Sequence, residues 1–581
     1  MFLPLPHLIL LSTTLLTLWL TNIIISSVLS LLKNRRLAIA SGLPYVLVPY
    51  FEINIVCGIL ARTPLFPLVA DRLLPERWTR WKRFVRPDWR FRGGYEKTHG
   101  EKGDVLLVVS PGGIVCNIAD AGVAFEVLQA RGKFVKMQRV LITVPPFSET
   151  TNRQVWDNAL EQAEALLKLW ASRQPTFAKQ LEVVSIEADL RSLTMSVFST
   201  VGFGVRVILG QQASKSEEAA LPTTATTEHE GMKFVDALER LGNNFRLAIM
   251  AKILPHWYIK TLAPASLKKM YSAYLSFGKH LQDMIFFEER KRKEDTHGAT
   301  NGDGALARRN RSLLASLIHE RHIPKTKQGE DESLTDEDIM GNLWIFGVAG
   351  HETTSNTLEY LVVAMAIYKD AQQWLCGELD RAVAEHGPVS GWEYDRMPEL
   401  TAVLCCMHET MRLFPVQPVI LRWVDNKTQT IRTQEDRAAH ILPPETVVDV
   451  NCVALHRNPK YWGSEADQFR PQRWDGRANR DDGPQAPKRR YATVKSPKVP
   501  GAFMPFGEGV RACLGRKFAE VETAAVVTTL FSEHNVGIAL MDGESEAEAI
   551  ERAKRIVAGS SNQMAMAIRR DIKLVWTRRG L

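Results

Sequence analysis

The sequence predicts a mainly α-helical protein with small β-sheets, preceded by an N-terminal transmembrane helix. Three features carry this expectation: an apolar run at the amino end, one strand-turn-strand signal at the start of the body, and helical hydrophobic periodicity through most of the body's length. At 581 residues, 45% hydrophobic and 24% charged, the chain can bury a large core. That excludes a disordered tail, a collagen-like repeat and a small disulfide scaffold. The 73 lysines and arginines against 65 acids leave +8, spread along the chain, so no nucleic-acid binding is expected.

The run 8–32 carries no ionisable residue and, at about 1.5 Å per residue, spans a hydrocarbon core of about 30 Å. It is too long for the apolar region of a cleaved signal, no positive segment precedes it, and no small-residue cleavage site follows. Lys33, Arg35 and Arg36 follow it while only His7 precedes, which predicts a single-pass anchor with the body in the cytosol. The sequons at Asn310 and Asn426 then stay unglycosylated. The seven cysteines form no CxxC pair, and their odd number suits a reducing compartment.

The chain reads as three regions: the anchor and its basic flank at 1–36, a membrane-proximal linker opening into the catalytic domain at 37–103, and the catalytic body at 104–581. In the linker, an apolar patch at 45–70 is broken by prolines and charges. Basic residues between 77 and 102 alternate with Trp78, Trp81, Phe84, Trp89 and Phe91. Two readings stand, a lipid headgroup surface and a solvated face with its aromatic rings turned inward. The body opens with strands around Pro111-Gly112-Gly113, and then helices are predicted at 152–172, 234–251, 267–293, 336–369, 370–386, 398–414 and 516–531. Polar loops at 293–311 and 325–333 and a basic insertion at 475–500 interrupt them, and no internal repeat is found.

The most informative segment is Phe506-Gly-Glu-Gly-Val-Arg-Ala-Cys-Leu-Gly515, just ahead of the last predicted helix. A cysteine in a glycine turn at a helix start meets free backbone N–H groups and the positive dipole end, which favours a thiolate and makes Cys513 a candidate metal ligand. Gly507, Gly509 and Gly515 let a flat cofactor approach the backbone, Phe506 can pack beside the sulfur, and Arg511 can meet a carboxylate. A buried free cysteine beside an ordinary glycine turn is the competing reading. The phosphate-loop pattern GxxxxGK[ST] is absent.

The pattern Phe506-x-x-Gly509-x-Arg511-x-Cys513-x-Gly515 resembles the haem-binding signature of the cytochrome P450 superfamily. The resemblance implies the fold of that family and haem b with Cys513 as the axial thiolate on iron. A second segment, Ala349-Gly-His-Glu-Thr-Thr-Ser355, lies mid-helix, where glycine and threonine are locally costly. It lacks the second histidine of a zinc-protease HExxH, and a simple kink is the alternative. It is similar to the distal-helix motif of the same family, which implies that Thr353 hydrogen-bonds bound O2, Glu352 relays protons, and Ala349 and Gly350 leave room for O2.

Glu409-x-x-Arg412 alone is a common helical pair. With Phe414-Pro415 behind it and Phe469-Arg-Pro-Gln-Arg-Trp474 further on, it resembles the family's interior network of Glu409, Arg412 and Arg473, with Gln472 in place of the usual Glu. Ser110-Pro-Gly-Gly113, Leu334-Thr-Asp-Glu337, His456-Arg-Asn-Pro459 and Tyr461-Trp-Gly463 stand in familiar places, and Arg422 matches a cation that meets a haem propionate. One part departs from the pattern: Phe134-Val-Lys-Met137 runs almost directly into Gln138-Arg-Val-Leu, so a substrate loop and its Trp/Arg pattern are missing and Arg139 is the remaining candidate cation. Either coding sequence is lost there, or the protein has an open pocket and weaker haem retention.

The resemblance implies a membrane-bound, fungal-type mono-oxygenase of the endoplasmic reticulum that inserts one atom of O2 into an apolar small-molecule substrate. Electrons come from a separate NADPH-dependent reductase meeting Arg511, Arg516, Lys517 and the basic stretch 488–498. The alternatives are a haem-thiolate isomerase or dehydratase, against which the intact Glu352 and Thr353 speak, and a catalytically impaired haem-binding membrane protein.

Overall fold

A computed structural model describes residues 5–51, 81–84, 88–130, 132–135, 148–174, 180–210, 229, 231–243, 245–298, 312–321, 334–435, 437–477, 494–495, 497–562 and 565–579. The chain divides into two compact units, the first made of Met1–Arg139, Gln417–Gln468 and Pro497–Ala512, the second of Val140–Val416, Phe469–Ser496 and Cys513–Leu581.

In the first unit, helix α1 (Leu5–Ser41) runs past both ends of the predicted apolar span. Its stretch Thr13–Ser41 is long and apolar enough to cross a membrane, and none of its most apolar window is buried. The last turns are tied to the body: Ser30 Oγ donates to Pro111 O at 2.7 Å and Asn34 Nδ2 to Ser110 O at 2.8 Å. The sheet consists of β1 (Tyr45–Leu47), β2 (Val105–Ser110), β3 (Gly113–Ile118), β4 (Phe134–Val135), β5 (Val419–Val424) and β6 (Val447–Asn451), in the order β1-β2-β3-β6-β5-β4. The predicted hairpin is β2–β3, closed by Pro111-Gly112 with Ser110 opposite Gly113.

One face of the sheet buries Leu107, Cys116, Ile118, Val448 and Val450 under helix α2 (Ala121–Gln129), whose Asp120 cap accepts from Val123 N at 3.0 Å. The other face packs Leu106 and Val108 against Phe84 and Trp89. Of the two readings of the aromatic linker, rings turned inward is the one the described part shows. Phe84, Trp89 and Phe91 are buried, and Arg90 lies 4.3 Å over the Trp89 ring while ion-paired to the buried Asp449. Trp78 and residues 52–70 lie outside the described residues.

The second unit is helical: α3 (Glu149–Ser172), α4 (Ile186–Phe203), α5 (Phe234–Asn243), α6 (Ala265–Gly298), α7 (Asp336–Ile367), α8 (Lys369–His386), α9 (Thr401–Leu413), α10 (Arg516–Glu533) and α11 (Glu546–Ala558). The predicted helix 234–251 is divided between α5 and a second segment, Phe245–Ile253. Helices α2, α4 and α11 were not anticipated. Helix α7 starts in a capping box, with Thr335 and Asp338 each binding the other's backbone N–H, and then runs through the interior against α4 and α10. Strands Gln180–Val183, Leu574–Arg578 and His534–Ile538 form an antiparallel sheet at its edge.

Candidate active site

The glycine turn is built by backbone that only glycine adopts easily. Gly507 and Gly509 have φ of +68° and +72°, and a Cβ on Gly509 would collide with the Leu128 carbonyl at the end of α2. The turn closes as one 3₁₀ turn, Gly509–Arg511. Gly515 then takes the cap position of α10 without any side-chain cap, and no protein atom lies within 4 Å of where its Cβ would stand. The amino end of α10, with its cap at Gly515, therefore begins two residues after Cys513.

Cys513 is set apart from the other described cysteines. Cys116, Cys376, Cys405, Cys406 and Cys452 are all buried, whereas Cys513 is exposed. Burial pushes the Cys376 thiol up to about 11 and pushes the other four buried thiols up as well, so none of these five ionises readily.

Arg422, on β5, is buried, and its Nη1 donates to Leu421 O at 3.0 Å. Desolvation, and next to it the charge of Arg511, lower its pKa. A buried guanidinium with a second cation nearby and no carboxylate ion pair among the described residues suits a carboxylate ligand, which is what a haem propionate offers. Arg139, the other cation expected there, lies outside the described residues. Behind the turn, His456 Nε2 accepts from Met504 N at 3.0 Å, and Tyr461 OH accepts from Ala121 N at 2.9 Å. His456 thus braces the loop, and Tyr461 braces the start of α2, whose far end abuts Gly509.

The α7 motif sits in the second unit. The Thr353 hydroxyl donates to Ala349 O at 2.9 Å and Thr354 to Gly350 O at 3.2 Å. His351 is buried and binds Gly347 O through Nδ1 at 2.7 Å, and burial lowers its pKa to about 4, so it is a neutral packing group. Glu352 is buried, its Oε2 has no hydrogen-bond partner, and desolvation raises its pKa against the opposing pull of Arg191 and Arg569. The space beside Gly350 is filled by Phe198 of α4, which a Cβ would meet at 2.8 Å. The missing side chain at 350 therefore serves helix packing, and Ala349 is the exposed member of the pair. Phe198 also stacks toward Phe518 of α10, with centroids 6.1 Å apart, so one ring touches both the distal motif and the first turn after Cys513. Sequence reasoning missed Phe198, since nothing in its local pattern signals contacts so far along the chain.

In the third constellation Glu409, Arg412 and Arg473 meet. Glu409 and Arg412 are fully buried, with Arg412 Nε and Nη2 donating to the two Glu409 oxygens at 2.8 and 2.9 Å. Arg473 Nε reaches Glu409 Oε1 at 3.0 Å. Two further donors were not foreseen, Arg470 N at 2.7 Å and Trp474 Nε1 at 2.9 Å.

The chain belongs to the cytochrome P450 family, whose model, Cytochrome P450, matches residues 120–551. It is 28% identical over 573 residues to Cytochrome P450 monooxygenase ORF6 of Penicillium roqueforti, covering 92% of this chain and 93% of that protein. It is equally similar to Cytochrome P450 monooxygenase prx9 of Penicillium rubens, 28% over 573 residues with the same coverage. To Bifunctional cytochrome P450/NADPH--P450 reductase 1 of Bacillus subtilis it is 25% identical over 390 residues, 66% of this chain and 30% of that longer protein. The crystal structure of cytochrome P450DA heme domain shares the fold, with a TM-score of 0.59 at 18% identity over 87% of this chain and 96% of that one. The protein is a haem-thiolate mono-oxygenase, an oxidoreductase that uses O2, an organic substrate and electrons from a redox partner. The isomerase and impaired-protein alternatives are not favoured.

Proposed function

We propose that Cys513 is the axial thiolate, that Arg422 and Arg511 receive the haem propionates, and that an apolar substrate takes up one atom of O2 while the other leaves as water. The observation that carries this is the contrast, among the described cysteines, between exposed Cys513 just ahead of a helix without a side-chain cap and the five buried thiols. Haem, when bound, supplies the O–O cleavage chemistry. The chain's own part is to hold a ligand sulfur, neutralise the propionates and keep protons at hand. Burial of Glu352 favours the protonated form of its carboxyl. The Thr353 hydroxyl, one residue on, is the group that orients O2, and Ala349 leaves that side of α7 open. Glu409, Arg412 and Arg473 lock the fold and take no part in the chemistry.

The decisive measurement is the spectrum of membranes reduced with dithionite and exposed to carbon monoxide. A strongly red-shifted Soret band in the parent that disappears in Cys513→Ser is expected, and a band that survives this change assigns the ligand elsewhere. Thr353→Ala should keep the band and divert electrons to peroxide, and normal coupling in that variant removes Thr353 from the mechanism.

The electron donor in this reading is an NADPH-dependent reductase, as in the bifunctional relative, where both activities are named in one protein. Exposed Lys517 and Arg516 at the start of α10 offer the positive charge, Arg516 also pairing with Glu520 at 3.1 Å. Reversing both charges should slow reduction at low salt, and an unchanged rate excludes this surface. Helix α1 serves as a single-pass anchor in the endoplasmic reticulum membrane with the body cytosolic. Asn426, although exposed, then carries no glycan, and a mobility shift on endoglycosidase treatment refutes that topology.

A further inference from the structure

Glu352, Asn356 and Glu359 stand at i, i+4 and i+7 of α7 and therefore share one stripe of the helix. All three are buried, at 7%, 1% and 4% exposure. Glu352 Oε2, Asn356 Oδ1 and Glu359 Oε2 each lack a hydrogen-bond partner, while the Asn356 amide is fixed by donating to Met566 O at 3.1 Å. Acceptors this deep are ordinarily met by bound water. Both carboxyls lie in the field of the same groups, Glu187 and Arg191 on α4 and Arg569 near the carboxyl end, with Asp571 acting on Glu359 as well. Glu187 and Arg191 are ion-paired and partly exposed. Arg569 donates to Ser561 Oγ at 3.3 Å and keeps a buried Nη2 without an acceptor.

We propose that Glu359 is a proton-relay residue, passing protons to Glu352 along water held by the Asn356 side-chain carbonyl oxygen and recovering them from solvent near the Glu187–Arg191 pair. The inference rests on the reading of Glu352 as proton donor given above. Glu359 acts through Glu352 and does not touch the reacting atoms. A rise of about 10 Å over seven residues is too long for a direct hand-over, so the intervening amide and water are required. Mono-oxygenation consumes two protons and two electrons per O2, the electrons coming from NADPH by way of the reductase. Each proton leaving Glu352 is replaced by the one on Glu359, and Glu359 takes its next from bulk water, so the relay works twice per cycle and only O–H bonds are exchanged. Burial raises both carboxyls, Glu359 well above the usual value, which favours the protonated form the relay needs.

The test uses the reductase-reconstituted holoenzyme and its infrared spectrum. Glu359→Gln should lower turnover about tenfold, more at pH 8 than at pH 6, and enlarge the solvent isotope effect, with the carbon monoxide spectrum and substrate affinity unchanged. Independently of turnover, the band of protonated carboxyls at neutral pH should lose one component in Glu359→Gln and a different one in Glu352→Gln. Glu359→Asp should restore part of the rate. An unchanged band and pH profile in Glu359→Gln, or lowered stability with an unchanged isotope effect, overturns the relay. If Glu352→Gln slows turnover and Glu359→Gln does not, the relay alone fails. If neither slows it, the proton role of Glu352 fails first.

Discussion

A carboxylic acid without a partner survives inside a protein by keeping its proton, and Glu522 shows the case in pure form. It is fully buried on α10, neither oxygen has a hydrogen-bond partner, and burial alone holds its pKa well above the usual 4.5. The unfolded chain ionises this group above pH 4.5 and the folded one does not, so unfolding releases a proton and stability falls as pH rises toward the folded pKa. Glu522→Gln removes that dependence. In urea unfolding, the gap in favour of the variant should widen as pH rises above 4.5, by at most about 1.4 kcal/mol per pH unit while Glu522 stays protonated in the fold. A gap independent of pH shows that Glu522 ionises within the fold. Glu409 is the opposite case, a buried carboxylate that accepts five hydrogen bonds. Glu409→Gln leaves Arg412 and Arg473 uncompensated, at a cost of roughly 3 to 5 kcal/mol. Thermal unfolding followed by circular dichroism measures it, and an unchanged midpoint contradicts the network's role.

At the scale of elements, the contact of α7 with α4 decides what residue 350 can be. Adding a Cβ brings it 2.8 Å from the Phe198 ring, which already packs on Phe203 and Phe518, so the ring has little room to give way. Gly350→Val should destabilise by about 1 to 3 kcal/mol despite the better helix propensity of any other residue. Phe198→Leu in the same chain should return part of that loss, and strictly additive effects in the double variant exclude the steric explanation. The same contact shows where sequence reading succeeds and where it stops. Helix α7 is legible because Thr335-x-x-Asp338 opens it and its motif lies within a long apolar run. Helix α4 is not, because thirteen of its eighteen residues are buried and a helix wrapped on most sides has little polar face to reveal a period. At the site, Cys513 and the pair Glu409 and Arg412 can be read from short spacings. The donors Arg470 N and Trp474 Nε1 cannot, since backbone direction across a loop leaves no residue-type signal.

For the molecule as a whole, two deeply buried histidines, His99 in the first compact unit and His351 in the second, contribute to the response to acid. In the first unit, His99 binds Gly103 O through Nδ1 at 3.0 Å, and its Nε2 accepts from Asn451 Nδ2 at 3.3 Å, an arrangement that needs the neutral ring. In the second, His351 holds Gly347 O in the same way. Burial lowers both pKa values from 6.5 to about 4. Below pH 6.5 the unfolded chain takes up protons that the folded chain refuses until about pH 4, so stability is intact above pH 6.5 and drains away across that window. At pH 5 the loss amounts to about 2 kcal/mol per histidine. Replacing His99 and His351 by Gln should flatten the fall in urea stability between pH 7 and pH 5. Each single replacement should remove part of it and the two parts should add, because the two rings share no partner. A parent protein equally stable at both pH values, or one whose loss persists in the double variant, places the acid sensitivity in other groups.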